Sequence, residues 1–155
     1  MMTAVLRTIA VLSILVLAGP LSAAERPKLT VLQIESFELT NAPVEEMKGA
    51  GGGKVVVFGS EKSKAVTEIE LPSGWYEAVL YVWAEDEESD CTYLMIEADD
   101  FNAGVAEMPV IPWDKKQIAP CTPIQFKFEG PLRPRQIKLW TNETGVKLDR
   151  LEIKR

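Results

Sequence analysis

The side chains that most often carry chemistry in proteins are scarce in this chain of 155 residues, which has two cysteines and no histidine. Without histidine there is no Ser-His-Asp triad, no Cys-His dyad and no histidine-ligated zinc site. Two cysteines alone cannot complete a structural zinc site. Cys91 and Cys121 also lack the spacing of a CxxC redox motif. Chemistry at a site in this chain would therefore use carboxylates, amides, cations and aromatic rings.

Acidic residues outnumber basic ones, since 23 Asp and Glu against 17 Lys and Arg give a net charge of −6. This balance argues against a nucleic-acid-binding protein, which presents a basic face. The densest acidic run, residues 85–90, lacks the Asp-x-Asp-x-Asp-Gly spacing of a calcium loop and is predicted to be a solvated turn. Two carboxylates could in principle hydrolyse a glycoside. No catalytic motif occurs, however, and we predict that the chain is not an enzyme.

The first 24 residues have the three parts of a secretory signal peptide. Arg7 supplies the positive charge, residues 9–18 form the apolar stretch, and Ser22-Ala23-Ala24 offers small residues for cleavage. The apolar stretch is shorter than the roughly 20 residues that span a bilayer, which disfavours the alternative of an uncleaved anchor. We therefore predict a signal peptide over 1–24 and a secreted protein, either extracellular or periplasmic.

An exported protein meets an oxidising compartment, in which its two cysteines can form a disulfide. Cys91 and Cys121 are predicted to form a structural disulfide, which the chain-entropy relation values at about 3–4 kcal/mol for a loop of this length. The alternative is a pair of buried thiols.

Residues 25–155 are predicted to form a single domain of short strands. The apolar and alternating runs are separated by turn signals such as Pro72-Ser73-Gly74 and Glu129-Gly130-Pro131. The predicted strands cover residues 31–34, 54–58, 66–71, 75–84, 91–98, 122–128, 135–140 and 146–153. Residues 43–48 could form one helical turn at most. The pattern predicts an all-β fold, an antiparallel β-sandwich of the jelly-roll type.

Four motifs occur in order over about residues 30–153. They are Gln33-Ile34-Glu35-Ser36 in the opening strand, the glycine-rich run Gly51 to Phe58, Leu71-Pro72-Ser73-Gly74-Trp75-Tyr76 at the start of the long strand, and Gly145 to Ile153 in the closing strand. In this order the motifs resemble landmarks of the carbohydrate-binding modules of families 6 and 35, which are galactose-binding-like β-sandwiches.

The resemblance implies one structural calcium ion. In such modules the opening and closing strands lie side by side, and their acidic side chains hold the ion together with backbone carbonyls. The matching positions here are Gln33, Glu35 and Asp149. Gln33 is an amide where the family usually has a carboxylate, so it offers an oxygen without a charge.

The resemblance also implies binding of a polysaccharide or glycan. A sugar ring presents an apolar face, which aromatic rings cover, and a rim of hydroxyls, which polar groups meet. We predict Trp113 as the stacking residue, because it lies in a loop-like segment beside an acid and two lysines. Trp140, Asn142 and Lys147 are further predicted contacts, although the family often has an asparagine where Lys147 stands. Trp75 and Trp83 lie on the long strand and are predicted to belong to the core.

Together these expectations describe a secreted, non-catalytic carbohydrate-binding module, with no nucleic-acid partner and no membrane span after cleavage. The alternative is a secreted structural or protein-interaction β-sandwich without affinity for sugars, docked in an extracellular assembly. An exposed aromatic pair beside polar groups would favour sugar binding.

Overall fold

The computed structural model describes residues 28–84, 92–99, 105–108 and 117–155, with the backbone alone at 105–108. Four sequence predictions lie outside these residues: the signal peptide at 1–24, the acidic turn at 85–90, Cys91 and the stacking residue Trp113. Among the described residues, no helix is long and apolar enough to cross a membrane.

The described part of the chain is built almost entirely from β-strands, as the alternation of apolar and polar residues predicts. The strands are β1 (Leu29–Gln33), β2 (Glu38–Thr40), β3 (Val44–Glu46), β4 (Lys54–Phe58), β5 (Lys64–Ile69), β6 (Gly74–Trp83), β7 (Thr92–Ile96), β8 (Val105–Met108), β9 (Ala119–Pro120), β10 (Ile124–Phe128), β11 (Arg135–Trp140) and β12 (Val146–Lys154). A 3-10 turn, Ile34–Ser36, follows β1. The predicted strands at 54–58 and 135–140 have the observed bounds.

The first sheet has the strand order β10-β6-β12-β4-β3, and all its pairs are antiparallel. β1 pairs with the later part of β12, beyond the part that pairs with β4, and β9 pairs with the end of β6. The long strand β6 therefore lies inside the sheet, as its apolar sequence predicts. The opening and closing strands of the domain are direct neighbours.

The second sheet has the order β2-β5-β11-β7-β8 and is also antiparallel. The hydrophobic core lies between the two sheets, since its buried cluster combines residues of both, among them Leu80 and Phe126 from the first and Leu94 and Leu139 from the second. Burying one such side chain stabilises the fold by about 1.5–3 kcal/mol. The described structure confirms the all-β antiparallel sandwich of the jelly-roll type.

The prediction of a helical turn at 43–48 is wrong. Val44–Glu46 is strand β3, and Val44 lies opposite Val56 of β4. Pairing with a neighbouring strand satisfies backbone groups that a single isolated helical turn would leave without partners.

Arg135, whose side chain is 3% exposed, links the start of β11 to neighbouring segments of the chain. Its guanidinium donates hydrogen bonds to the Asp99 carboxylate and to the backbone oxygens of Glu97 and Glu129. It also lies 4.9 Å from the centre of the Phe128 ring. These bonds hold residues 97–99, which follow β7, against the start of β11.

Candidate functional site

The outward face of the first sheet carries a row of large side chains from β6. Tyr76, Ala78, Leu80 and Val82 belong to the core. Because side chains alternate along a strand, the intervening residues point away from the core. They are Trp75, Glu77, Val79, Tyr81 and Trp83. This row includes both tryptophans that the sequence assigns to the core.

The prediction that Trp83 and Trp75 are core residues is therefore wrong. Trp83 is only partly buried, and Trp75 is 49% exposed. The composition of β6, apolar on both faces, suggested a strand buried on both sides. Side chains alternate between the two faces of a strand, so Trp75 and Trp83 fall on the same face as Glu77. This alternation is the sequence signal that places both tryptophans outside the core.

Trp83 lines a cleft of about 440 Å³ at the end of β6. Met47, Lys48 and Gly49 of the loop between β3 and β4 form one wall, and Gln117 and Ile118 also line the cleft. The cleft thus combines an indole ring and aliphatic side chains with an amide and an ammonium group. Concave sites with this mixture are typical of small-ligand binding. Gln117 lies shortly after Trp113 in the chain.

Lys147 is placed directly beside this cleft, because it lies opposite Trp83 in the pairing of β12 with β6. Its Nζ atom lies 5.2 Å from the centre of the Trp83 ring and donates a hydrogen bond to Glu45 Oε2 at 3.0 Å. The pair adds one cation and one carboxylate beside the aromatic ring. Both remain partly exposed, which leaves them accessible to a ligand.

The other two predicted contacts, Trp140 and Asn142, lie elsewhere. Trp140 ends β11 in the second sheet and stacks on Tyr93 of β7, with ring centres 5.3 Å apart and planes 13° apart. Asn142 Nδ2 donates to Tyr93 Oη at 3.2 Å, and Lys138 Nζ lies 5.2 Å from the Trp140 ring centre. The structure therefore brings Trp140 and Asn142 together with Tyr93, but places Lys147 on the other sheet.

A second cluster forms where β1 and β12 run side by side. Gln33 ends β1 opposite Arg150, and the 3-10 turn that follows carries Glu35. Asp149 precedes Arg150 on β12 and is fully buried. Gln33 Oε1 and Glu35 Oε2 are also buried, and neither accepts a hydrogen bond from the described residues. Buried oxygens without a donor carry a free-energy cost unless a ligand satisfies them.

The loop between β3 and β4 lies over these three side chains at Gly51 and Gly52. A Cβ at Gly52 would lie 2.7 Å from Glu35 Oε1 and 3.5 Å from Gln33 Oε1. A Cβ at Gly51 would lie 3.5 Å from both oxygens of Asp149, and the Gly51 N–H donates to Asp149 Oδ1 at 2.8 Å. At Gly52 the loop backbone thus approaches the oxygen cluster more closely than a residue with a side chain would permit without moving Glu35.

Arg150 balances part of the negative charge in this cluster. Its Nη1 donates to Asp149 Oδ2 at 2.5 Å, and its Nε donates to Glu152 Oε1 at 2.9 Å. Its guanidinium carbon lies 3.7 Å from the centre of the Tyr81 ring. Glu152 offsets the Arg150 charge, so Glu35 and Asp149 together leave a net negative site.

The donors Gln33, Glu35 and Asp149 fit a calcium ion, which takes six to eight hard oxygen ligands. The described residues hold no group of three or more His, Cys, Asp or Glu placed to bind a metal, so the Gln33 amide and backbone carbonyls would complete the set. The two buried oxygens without a donor are the observation that supports this fit.

No protein-family profile and no curated protein sequence matches the chain. The C-terminal family 6 carbohydrate-binding module of the laminarinase LamC from Zobellia galactanivorans matches with a TM-score of 0.65 at 16% identity. The match covers 83% of this chain and 100% of the module. A family 35 carbohydrate-binding module from Clostridium thermocellum matches with a TM-score of 0.61 at 15% identity, over 81% of this chain and 97% of the module.

The fold also occurs as part of a larger enzyme. The exo-β-1,3-galactanase of Phanerochaete chrysosporium, solved with β-1,3-galactotriose, matches with a TM-score of 0.63 at 12% identity. The match covers 81% of this chain, which spans only 29% of the galactanase. The chain therefore has the β-sandwich fold of these carbohydrate-binding modules of families 6 and 35.

Proposed function

We propose that this protein is a secreted, non-catalytic carbohydrate-binding module that binds a polysaccharide at the Trp83 cleft. The observation that carries the proposal is the grouping of Trp83, Lys147 and Glu45 beside a cleft of about 440 Å³. The fold supports it, because structures of this fold include carbohydrate-binding modules at TM-scores above 0.6.

The chemistry of the cleft suits a sugar ring. The Trp83 indole offers a flat surface for the apolar C–H face of a pyranose, and exclusion of water from that contact supplies most of the affinity. The Lys147 ammonium donates to ring hydroxyls, whereas the Glu45 carboxylate accepts from them. Hydrogen bonds to charged groups are worth about 1.5–3 kcal/mol each, and they fix the orientation of the sugar.

A calcium ion held by Gln33, Glu35 and Asp149 would have a structural role in this proposal. It would neutralise two carboxylates and satisfy buried oxygens where β1, β12 and the loop between β3 and β4 meet. The same loop supplies Met47, Lys48 and Gly49 to the Trp83 cleft. Fixing the loop at its glycines would therefore also fix one wall of the cleft.

The proposal of secretion rests on the signal-peptide pattern at 1–24, and that of a non-catalytic role rests on the lack of a catalytic motif. The Lys147–Glu45 ion pair is consistent with binding, since glycoside hydrolysis uses a pair of carboxyl groups instead. N-terminal sequencing of protein exported by an expression host tests the cleavage site, with a new N-terminus at residue 25 expected.

Affinity electrophoresis through gels containing different polysaccharides tests the proposed function. The panel includes β-1,3-galactan, β-1,3-glucan, xylan and a soluble cellulose derivative. Wild-type protein is expected to be retarded by at least one of them, and Trp83→Ala is expected to migrate without retardation. Trp140→Ala is the matched control, because it removes a tryptophan from the other sheet. Failure of every polysaccharide to retard the wild type would favour the protein-interaction alternative.

A further inference from the structure

Strand β1, which opens the domain, has one edge that no described strand covers. It pairs with β12, and among the described residues it has no other strand partner. Its sequence, Leu-Thr-Val-Leu-Gln, contains no charged residue and no proline. Edge strands in natural proteins normally carry charges, prolines or bulges, because an unprotected edge offers its backbone N–H and C=O groups to another chain. The sequence of β1 supplies neither a charge nor a proline.

The other edge strands whose side chains the structure describes are better protected. Strand β3 has two glutamates among its three residues, and β2 begins with Glu38. Strand β9 is two residues long and includes Pro120. The free side of β10 is partly covered, since the Asp99 N–H donates to the Lys127 oxygen at 3.1 Å. This contrast indicates β1 as the edge at which a further strand can add.

Two exposed apolar side chains lie along this edge. Leu29 is 49% exposed and Val31 is 43% exposed. Leu32 packs against the core, so the alternation of side chains along the strand directs Leu29 and Val31 to the outward face of the sheet. A strand added beside β1 would cover both side chains and would pair the backbone groups of the edge.

We propose that the open edge of β1 binds a second copy of this chain. The two β1 strands pair antiparallel about a two-fold axis at Thr30, and the first sheet continues from one copy into the other. Leu29 then lies opposite Val31 of the second copy, and the two Thr30 residues lie opposite each other. Apolar pairs and threonine pairs at such positions stabilise antiparallel sheets. The interface uses the same surface on both copies, so the dimer closes without leaving a free β1 edge.

The charges on β12 select this register. In each copy Leu29 lies beside Lys154, and Val31 lies beside Glu152. A row across the four central strands therefore runs from Lys154 and Leu29 of one copy to Val31 and Glu152 of the second, with opposite charges at its ends. An axis at Val31 would instead put Glu152 at both ends of a row, and an axis at Leu29 would do so with Lys154. The ends of a row are roughly 14 Å apart, so the charges choose the register and add little affinity.

The dimer is expected to be weak and to leave the Trp83 cleft open. One short strand from each copy gives an interface at the small end of the range for proteins, so we expect a Kd on the order of 10–100 μM. None of the described residues that line the Trp83 cleft belongs to β1. The dimer thus carries two such clefts, and two linked clefts bind a polymer of repeated sites more tightly than one. The inference goes beyond the proposed function and does not depend on it, because dimerisation requires no sugar.

Sedimentation equilibrium of the protein without sugar, from about 5 to about 500 μM, tests the interface. The wild type should change from monomer to dimer over this range. Val31→Lys should stay monomeric, since a charge on an edge strand blocks pairing. Val44→Lys is the matched control and should dimerise as the wild type does, because Val44 is also 43% exposed but lies on β3 of the same sheet. A wild type that stays monomeric throughout, or a Val31→Lys variant that dimerises as strongly as the wild type, overturns the inference.

Cross-linking tests the register. Thr30→Cys places two thiols opposite each other across the proposed axis, where the separation of directly paired strand residues permits a disulfide. Mild oxidation should give a dimer on a non-reducing gel, and a reductant should separate it. The wild type controls for the native cysteines, and Thr40→Cys, which places a thiol on β2 of the other sheet, should give no more dimer than the wild type. Equal cross-linking of Thr30→Cys and Thr40→Cys, or none in Thr30→Cys, would refute an axis at Thr30.

Discussion

Lys147 of β12 lies directly opposite Trp83 of β6, with its ammonium nitrogen 5.2 Å from the centre of the indole ring. The same nitrogen donates to Glu45 of β3, so three strands of one sheet contribute to a single polar and aromatic group. The arrangement depends on strand register, because a shift of one residue would turn Lys147 into the core. The closing strand thus connects the proposed metal site, through Asp149, with the proposed sugar-binding cleft, through Lys147.

Removal of calcium should lower the melting temperature. If Gln33, Glu35 and Asp149 hold the ion, saturating calcium stabilises the fold by about 2.7 kcal/mol at a hundredfold excess over Kd. Differential scanning calorimetry with EDTA should show a melting temperature several degrees lower than with calcium, and calcium added back should restore it. Glu35→Gln should melt at nearly the same temperature in both buffers. Identical melting curves for the wild type with and without EDTA would refute the metal site.

Gly52→Ala should weaken the calcium effect without disturbing the core. The new Cβ would lie 2.7 Å from Glu35 Oε1, which must move away from its present place. The measurement is the difference in melting temperature between calcium and EDTA buffers, which should shrink to less than half of the wild-type difference. Gly59→Ala is the matched control, since a Cβ at Gly59 meets nothing within 4 Å. If Gly52→Ala keeps the wild-type difference in melting temperature between the two buffers, the glycine loop has no role in metal binding.

Acid should weaken the fold through Asp99. Hydrogen bonds from the Arg135 guanidinium and from the Glu129 N–H lower the pKa of Asp99 from 3.8 to about 2. Because the folded pKa lies below the unfolded one, the stabilisation is fully present above pH 3.8 and is lost as the pH falls towards 2. The pKa of Glu97 is lowered too, mainly by the hydrogen bond from the Gln136 N–H.

Urea unfolding of wild type and Asp99→Asn between about pH 2 and pH 5 checks this effect of Asp99. The variant should be less stable than the wild type at neutral pH, and the difference should narrow as the pH falls to 2. Glu70→Gln, which changes an exposed acid, serves as the control. If the difference in unfolding free energy between wild type and Asp99→Asn stays constant from about pH 2 to pH 5, the assigned role of the Asp99–Arg135 pair is contradicted.

The cysteine pairing stays a prediction from the sequence. Cys121 is buried, and its N–H donates to the Leu80 oxygen at 2.8 Å, so its position is fixed against β6. Unreduced protein in denaturant should show no thiol that reacts with a colorimetric reagent, and reduction should lower stability by about 3–4 kcal/mol. Two reactive thiols in the unreduced, denatured protein would exclude a disulfide between Cys91 and Cys121.

Much of the sheet structure follows from the sequence. The runs at 54–58 and 135–140 have strand bounds that the structure reproduces, because their β-branched and apolar residues end at clear turn signals. The neighbourhood of β1 and β12 was implied by the family resemblance and is observed. The short strands β2 and β3 were missed, since three-residue strands owe their structure to pairing with a neighbour rather than to local preference.

The candidate site was predicted only in part. Lys147 stands where the family often has an asparagine, and the structure places it opposite Trp83, which lines a cleft. Its partners Trp83 and Glu45 were missed, because contacts between β12, β6 and β3 depend on sheet order, which local patterns do not determine. The sequence predicts Trp140 and Lys147 as contacts of the same ligand, but β11 and β12 belong to different sheets.

The most direct measurement is the affinity for a soluble oligosaccharide, measured by isothermal titration calorimetry. The oligosaccharide is a fragment of the polysaccharide that retards the wild type in the gel. Wild type, Trp83→Ala and Trp140→Ala are compared. We expect Trp83→Ala to weaken binding at least about tenfold, as loss of a central aromatic contact does, and Trp140→Ala to bind within about twofold of the wild type. Circular dichroism serves as the control that both variants are folded. Wild-type affinity in Trp83→Ala, with loss of binding in Trp140→Ala, would contradict the account and move the sugar to the second sheet.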